Sequence, residues 1–495
     1  MTRTHRTARV ASALAAVVGS LALIAPLASA QQPPQLPSTT QMVLKGKAPV
    51  SKEVLKVTLP KPSEAVLSNG LRVMVLEDHR VPQVTFQLVI PGAGGYYDPA
   101  DRPGLAGFAA AMMREGTAAR TSVQISEALE TMGASLFVNS GASATSAQVT
   151  GSALTQSFPN LFEIAADVLL HPAFTPAEWD RYRARTRPTF VQLRTNPGFL
   201  ANERFNLAVF GSHPASRVFS NAAVLDAVTP AMLAEFYRSH YVPDHAVIAF
   251  AGDITLAQAR SMVEQRLGEW HKANVPEAKV EDPPPLSGAK IYLVSRPASV
   301  QTTLWVGTQA LQRTSPDYTA LSVANRVLGG VMGRLFRHLR EEKGYTYGIG
   351  SGISASAFVG SWVASTSVRT EVTEPALRDL LAEIGAMRDS LVPTGELEDS
   401  KRALVASFAL SLESPQQILN YYLESWTYRL PEDYWTTYPA RVAAITPDQV
   451  RAAARKYWDA SRLQIVAVGD ASKVRDILAK LGPVEVYDAQ GQPVP

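Results

Sequence analysis

The sequence predicts an α+β chain built twice over: two homologous lobes, each an antiparallel-rich sheet packed with helices. Three observations carry that reading. The 495-residue chain breaks at Pro276 to Ala289, where Asp282-Pro283-Pro284-Pro285 fits neither a helix nor a central strand. The stretches that close the two halves match without gaps, 217 residues apart, from Thr229 to Thr446 and from Gly252 to Gly469. Within each half, hairpins and meanders stand beside helices without strict strand–helix alternation, which argues for α+β rather than α/β layers.

Taken in order, residues 1–30 read as an export signal rather than part of the fold. Arg3, Arg6 and Arg9 precede an apolar run from Val10 to Leu27, and Ala28-Ser29-Ala30 gives the small-x-small pattern cut before Gln31. A membrane anchor fits less well, because the run contains Gly19 and Pro26 and ends in a cleavage site. The expected destination is the periplasm, with secretion as the alternative. No later stretch reaches the ~20 apolar residues of a spanning helix. The formal net charge of +3 matches the three leader arginines, so the remainder is near neutral and has no basic run to grip nucleic acid. The absence of cysteine excludes disulfides, thiolate zinc sites and a cysteine nucleophile.

Residues 31–61 form a Pro-, Gln- and Ser-rich lead-in without apolar periodicity. The first lobe is expected over 62–275. It opens with a hairpin from Ala65 to Glu77, turning at Asn69-Gly70, and a strand from Gln83 to Ile90. Helices follow at Leu105 to Glu115 and Val123 to Met132, two strands between Leu136 and Gly151, and a helix at Leu161 to Leu170. The lobe closes with a helix opened by Thr229-Pro230, an apolar strand from Ala246 to Ala251, Gly252-Asp253 and a helix from Leu256 to Leu267. After the linker at 276–289, the second lobe spans 290–485. It closes alike, with Thr446-Pro447, a strand from Leu463 to Val468, Gly469-Asp470 and a final helix.

Two segments carry the functional reading. The first is Gly104-Leu105-Ala106-Gly107-Phe108-Ala109-Ala110-Ala111-Met112-Met113, followed by Arg114-Glu115-Gly116-Thr117 and preceded by the Gly-rich turn Pro91 to Gly95. It resembles the zinc-motif helix of the pitrilysin/insulinase (inverzincin) metallopeptidases, whose H-x-x-E-H places two histidines on one helix face and a water-polarising glutamate beside them. At the matching positions stand Gly107 and Ala111 for the histidines and Ala110 for the glutamate. The family's third ligand, a glutamate further along, falls near Arg187-Pro188, and no acid lies between Asp180 and Glu203. Aliphatic side chains offer a metal no lone pair, so no metal site of its own is expected, and the scattered histidines read as surface or capping residues. No G-x-S-x-G supports serine catalysis either.

The second segment runs from Leu328 to Tyr347 and resembles the family's glycine loop, short helix and strand. The resemblance makes Arg340 and Tyr347, seven residues apart, the pair that faces the zinc from the opposite lobe and holds the substrate backbone. Gly329, Gly330 and Gly333 lack the Gly-Lys-Ser/Thr of a phosphate loop and are expected to let a peptide approach closely. An emptied zinc motif beside an intact Arg/Tyr segment resembles the non-zinc subunit of the two-subunit, processing-peptidase-like group. The resemblance implies half of a peptidase clamshell. This chain is expected to be inactive alone, with zinc in a homologous partner subunit and unfolded peptides as substrates. The alternative is a peptide-binding or scaffold subunit with no proteolytic role.

Overall fold

The hairpin expected at Asn69-Gly70 starts the first of two sheets in the computed structural model, which describes residues 54–274 and 276–494. The leader and the lead-in up to residue 53 lie outside the described residues. Strands β1 (Ser63–Val66) and β2 (Arg72–Glu77) pair around Gly70, whose φ of +90° glycine adopts without strain. There follow β3 (Gln83–Pro91), α1 (Leu105–Met113), α2 (Ser122–Met132), β4 (Ser135–Ser140), β5 (Ser146–Leu154), α3 (Phe158–Leu170) and α4 (Pro176–Leu193). The lobe ends with α5 (Pro197–Phe210), α6 (Ala222–Ala227), α7 (Pro230–His240), β6 (Val247–Gly252) and α8 (Leu256–Leu267). The sheet runs β1-β2-β6-β3-β5-β4, parallel only at β2–β6.

The second lobe holds β7 (Lys290–Ser295), β8 (Gln301–Gln309), α9 (Tyr318–Gly329), β9 (Thr346–Ser354), β10 (Ser361–Arg369), α10 (Thr373–Asp389) and α11 (Thr394–Ser411). It continues through α12 (Pro415–Tyr428), α13 (Tyr438–Ala443), α14 (Pro447–Tyr457), β11 (Gln464–Gly469) and α15 (Ala471–Ala479) to β12 (Val484–Tyr487) and β13 (Pro493–Val494). Its order is β13-β12-β7-β11-β8-β10-β9. The last hairpin, turning at Gly491 with φ +80°, carries the sheet past residue 485, where the sequence reading ends the lobe.

The duplication extends beyond the register visible in the sequence. The central parallel pairs start alike, Arg72 against Val247 and Lys290 against Gln464. The first residue of β3 faces the last of β5, Gln83 with Leu154, as Gln301 faces Arg369 between β8 and β10. Helices α4 and α11 are both 18 residues, and α5 and α12 both 14; each pair starts 218 residues apart, at Pro176 and Thr394 and at Pro197 and Pro415. Thr229 and Thr446 cap α7 and α14 through their side chains, as their Thr-Pro openings predict.

These repeated helices are exchanged between the lobes. Leu200, Ala201, Phe205 and Val209 of α5 pack with Tyr292, Val294, Val466 and Val468 of the second sheet. Ile418, Leu419 and Leu423 of α12 pack with Met74, Leu76, Val89, Val247, Ala249 and Ala251 of the first. The other faces bury against their own lobe's helices, with Phe86, Phe158, Phe162 and Phe250 at one centre and Trp362 and Trp458 at the other. Strands covered on both faces read as unbroken apolar runs, as β6 and β11 do. The linker is strapped to the second lobe: Asp282 accepts from the Gln312 side chain at 2.8 and 2.9 Å and from Val359 N at 2.7 Å.

Candidate functional site

Helix α1 begins beneath a buried carboxylate. Asp98 accepts Gly104 N at 2.6 Å and Ala106 N at 2.8 Å, closing the helix's open donors, and burial pushes its pKa up to about 6. Along α1, a Cβ at Gly107 would stand 3.3 Å from the Ser140 carbonyl, so the helix lies close against the edge strand β4. Ala110 is buried, and Ala111 borders a cleft of about 620 Å³ shared with Arg114, Glu115, Val123, Phe137 and Arg185.

The residue of α4 that reaches this cleft is Arg185, ion-paired to Glu115, rather than Arg187, which pairs with Asp226 of α6 at 2.5 Å. A hydrogen, two methyls and a guanidinium do not fit zinc. Among the described residues no group of three His, Cys, Asp or Glu side chains could hold a metal. Two of the histidines are held by local partners: His240 stacks on Phe236 and lies 2.8 Å from the Gly92 carbonyl, and His338 lies 2.9 Å from Glu383.

The second predicted segment is assembled. Residues Phe336–Glu342 wind as a short π-helical segment, an irregularity frequent at functional sites. Arg334 and Arg337 anchor this turn to Glu396 of α11, and His338 anchors it to α10. Arg340 leaves it with its guanidinium carbon 4.5 Å from the centroid of the Phe336 ring and 5.4 Å from that of Tyr347. Its acidic neighbour Glu341 is 3.5 Å away. Gly344, with φ +61°, turns the chain into β9, and Tyr347 there is 92% exposed. Tyr345 instead packs partly against the second core. Among the described residues β9 pairs only with β10, which leaves its other edge unpaired there, and the cleft of about 690 Å³ beside Tyr347 is lined by Thr303, Thr346, Ser365 and Ser367.

The glycines are accounted for by the chain's own packing. A Cβ at Gly329 would lie 2.4 Å from Ser351 N, one at Gly330 2.5 Å from the Arg326 carbonyl, and one at Gly333 2.8 Å from the Gly330 carbonyl. Sequence reasoning missed Asp98, Arg185 and Glu396, whose partners are set by the fold. The one local signal was an acid just before a glycine-opened helix.

Residues 72–218 match the family model described as insulinase (peptidase family M16), and residues 227–404 match the one described as peptidase M16 inactive domain. The chain belongs to the M16 peptidase family. An M16 structure from Pseudomonas fluorescens, described as peptidase M16 inactive domain, superposes with a TM-score of 0.75 at 26% identity, covering 83% of this chain and 98% of that one. Residues 227–404 of this M16 protein are thus of the inactive-domain type, and α1 in its first half carries the emptied motif. A protease structure from Helicobacter pylori, at 14% identity and TM-score 0.77 over 83% and 100% of the two chains, shares the fold. An uncharacterized zinc protease of Streptomyces coelicolor is 25% identical over 431 residues, 84% of this chain and 89% of its own length. One of Mycobacterium tuberculosis is 27% identical over 362 residues, 68% and 81%.

Proposed function

We propose that this chain is the substrate-positioning, non-catalytic subunit of an exported two-chain peptidase acting on unfolded peptides, zinc being held by a homologous H-x-x-E-H partner. The observation that supports the reading is the pairing of Arg340 with a tyrosine that is 92% exposed. An aromatic side chain so uncovered adds nothing to the core. Guanidinium and phenol both donate, and together they can hold a peptide carbonyl and stabilise charge developing on it. The edge of β9 that no described strand covers offers backbone groups along which an extended peptide can pair, so its reacting bond is positioned before chemistry begins.

The test is to purify the chain alone and with a co-encoded H-x-x-E-H homologue, and to measure cleavage of an unstructured peptide. No cleavage is expected from the chain alone, and cleavage is expected on mixing. Arg340→Ala should lower the mixed rate on the order of 100-fold and Tyr347→Phe about tenfold. Cleavage by the lone chain would overturn the reading; inactivity of the mixture would favour a scaffold. Export to the periplasm belongs to the same proposal, and N-terminal sequencing of the exported chain should begin at Gln31.

A further inference from the structure

The cleft beside Tyr347 is not filled by the Arg340/Tyr347 pair, and its walls follow from strand alternation. In β8 and β10, Leu304, Val306, Ala364 and Val368 belong to the second core. Thr303, Trp305, Ser365 and Ser367 therefore point to the opposite face of the sheet. Register sets them side by side, Trp305 opposite Ser365 and Thr303 opposite Ser367. A bulge in β9 brings Tyr347 to the same face. Ile349 pairs with Thr366 and Thr346 with Val368, so Tyr347 and Gly348 together stand opposite Ser367 alone. The extra residue lets Ile349 return to the core while Tyr347 stays outside, 92% exposed. Thr303, Trp305, Ser365, Ser367 and Tyr347 all line the one cleft of about 690 Å³.

The chemistry of these walls selects a side chain. The charged residue lining the cleft, Arg369, is engaged by Glu371 at 2.9 Å and by the Gly344 carbonyl at 3.3 Å, and Arg340 does not line it. A charged side chain entering there gives up water and meets no free opposite charge among the described residues. The hydroxyls, by contrast, can donate and accept. Buried Thr303 shares a hydrogen bond with Ser367 at 2.9 Å, which uses one of their two hydroxyl protons and leaves the other with spare lone pairs. Ser365, two residues along the same face, adds its own hydroxyl. Trp305 opposite it gives a flat wall, packed on Phe205 of α5 with ring centroids 5.7 Å apart. A planar group that donates and accepts at once, on a stem long enough to reach the sheet, matches this set. That group is a carboxamide. An apolar side chain of the same shape would cover the hydroxyls without replacing their bonds to water.

We propose that this cleft is a specificity pocket for a carboxamide side chain, Gln or Asn, of the peptide whose carbonyl Arg340 and Tyr347 hold. Ser365 and Ser367 bond the amide, and Trp305 stacks on its plane. The inference rests on the peptide-positioning reading above and supplies the substrate class which that reading leaves open, namely polar, uncharged segments. It also gives the bulge in β9 a task, aiming Tyr347 at the stretch of peptide that the pocket reads.

The test titrates the purified chain into three labelled unstructured peptides that differ at one central residue, Gln, Glu or Met, and reads fluorescence polarisation. The three side chains are close in size, so the comparison isolates hydrogen bonding and charge. The Gln peptide should bind about tenfold tighter than either of the others, the worth of one or two hydrogen bonds in a half-open site. Ser365→Ala combined with Ser367→Ala should bring the Gln peptide down to the affinity of the Met peptide. Ser365→Thr combined with Ser367→Thr, which keeps both hydroxyls, should keep the preference. Glu or Met binding as tightly as Gln would overturn the inference, and the positioning reading would stand if Arg340→Ala still weakened all three. A preference that survives the double alanine variant would overturn it too, since the discriminating contacts would lie elsewhere. Binding of none of the peptides would overturn both.

Discussion

Asp98 is 5% exposed and holds the two backbone donors that open α1, yet burial outweighs those bonds and lifts its pKa to about 6. Because the folded-state value lies above the ordinary 3.8, the folded protein takes up the proton first. The stability this group adds is therefore full below 3.8 and is lost as the pH rises through about 6. Thermal midpoints measured across that window should fall by the equivalent of about 2–3 kcal/mol for the native chain. For Asp98→Asn they should stay flat, at a fixed cost of about 1 kcal/mol for the bond lost to Gly104. Equal slopes in the two proteins would mean that Asp98 does not titrate there. Residues differ in how far the sequence exposes them. Arg340 and Tyr347 sit seven apart within one recognisable segment, so their proximity was legible. Arg185 was not, because its reach into the α1 cleft depends on how α4 lies across the lobe.

At the scale of elements, the junction of α9 with β9 carries the site. Gly329 ends α9 where its missing side chain lets Ser351 of β9 come close, and β9 presents Tyr347. Gly329→Ala should therefore destabilise the chain by about 1–3 kcal/mol, as overpacking does, and should shift β9 enough to lower partner-dependent cleavage. Gly348→Ala, on the same strand with open space at its Cβ, should stay within about 0.5 kcal/mol. Urea unfolding midpoints of the two variants check the contrast, and equal midpoints would refute it. The sequence reading took these glycines as room for a peptide; the structure uses that room for its own packing. Helix starts were legible wherever a threonine precedes proline, since that cap is a local signal. The π-turn at Phe336–Glu342 was not, since nothing in its residues distinguishes it from an ordinary helical turn.

Across the whole molecule the exchange of α5 and α12 decides how the chain can fold. The duplication was legible from a 217-residue register, but its hydrophobic pattern does not say which sheet a helix covers. The available hint was that β6 and β11 are apolar on both faces, which demands a second covering layer. That layer comes from the opposite lobe. Cut at Gly288, the first lobe would bare Met74, Leu76, Val89 and Val247 to water, and the second would lose the cover over Val294, Val466 and Val468. At about 1.5–3 kcal/mol for each large apolar side chain, the loss on either side is comparable to the 5–15 kcal/mol that holds a domain folded. Neither lobe should therefore fold alone. Each, expressed separately, should be insoluble or bind a hydrophobic dye with a broad thermal transition, while the two pieces expressed together should form a stable one-to-one complex. A single lobe that is monomeric and melts sharply by itself would show that the exchanged helices are dispensable, and that the two lobes could move independently while gripping a peptide. A complex that forms only from both pieces would mean that β4 and β9, with the groups each presents, are held in one fixed relation by α5 and α12.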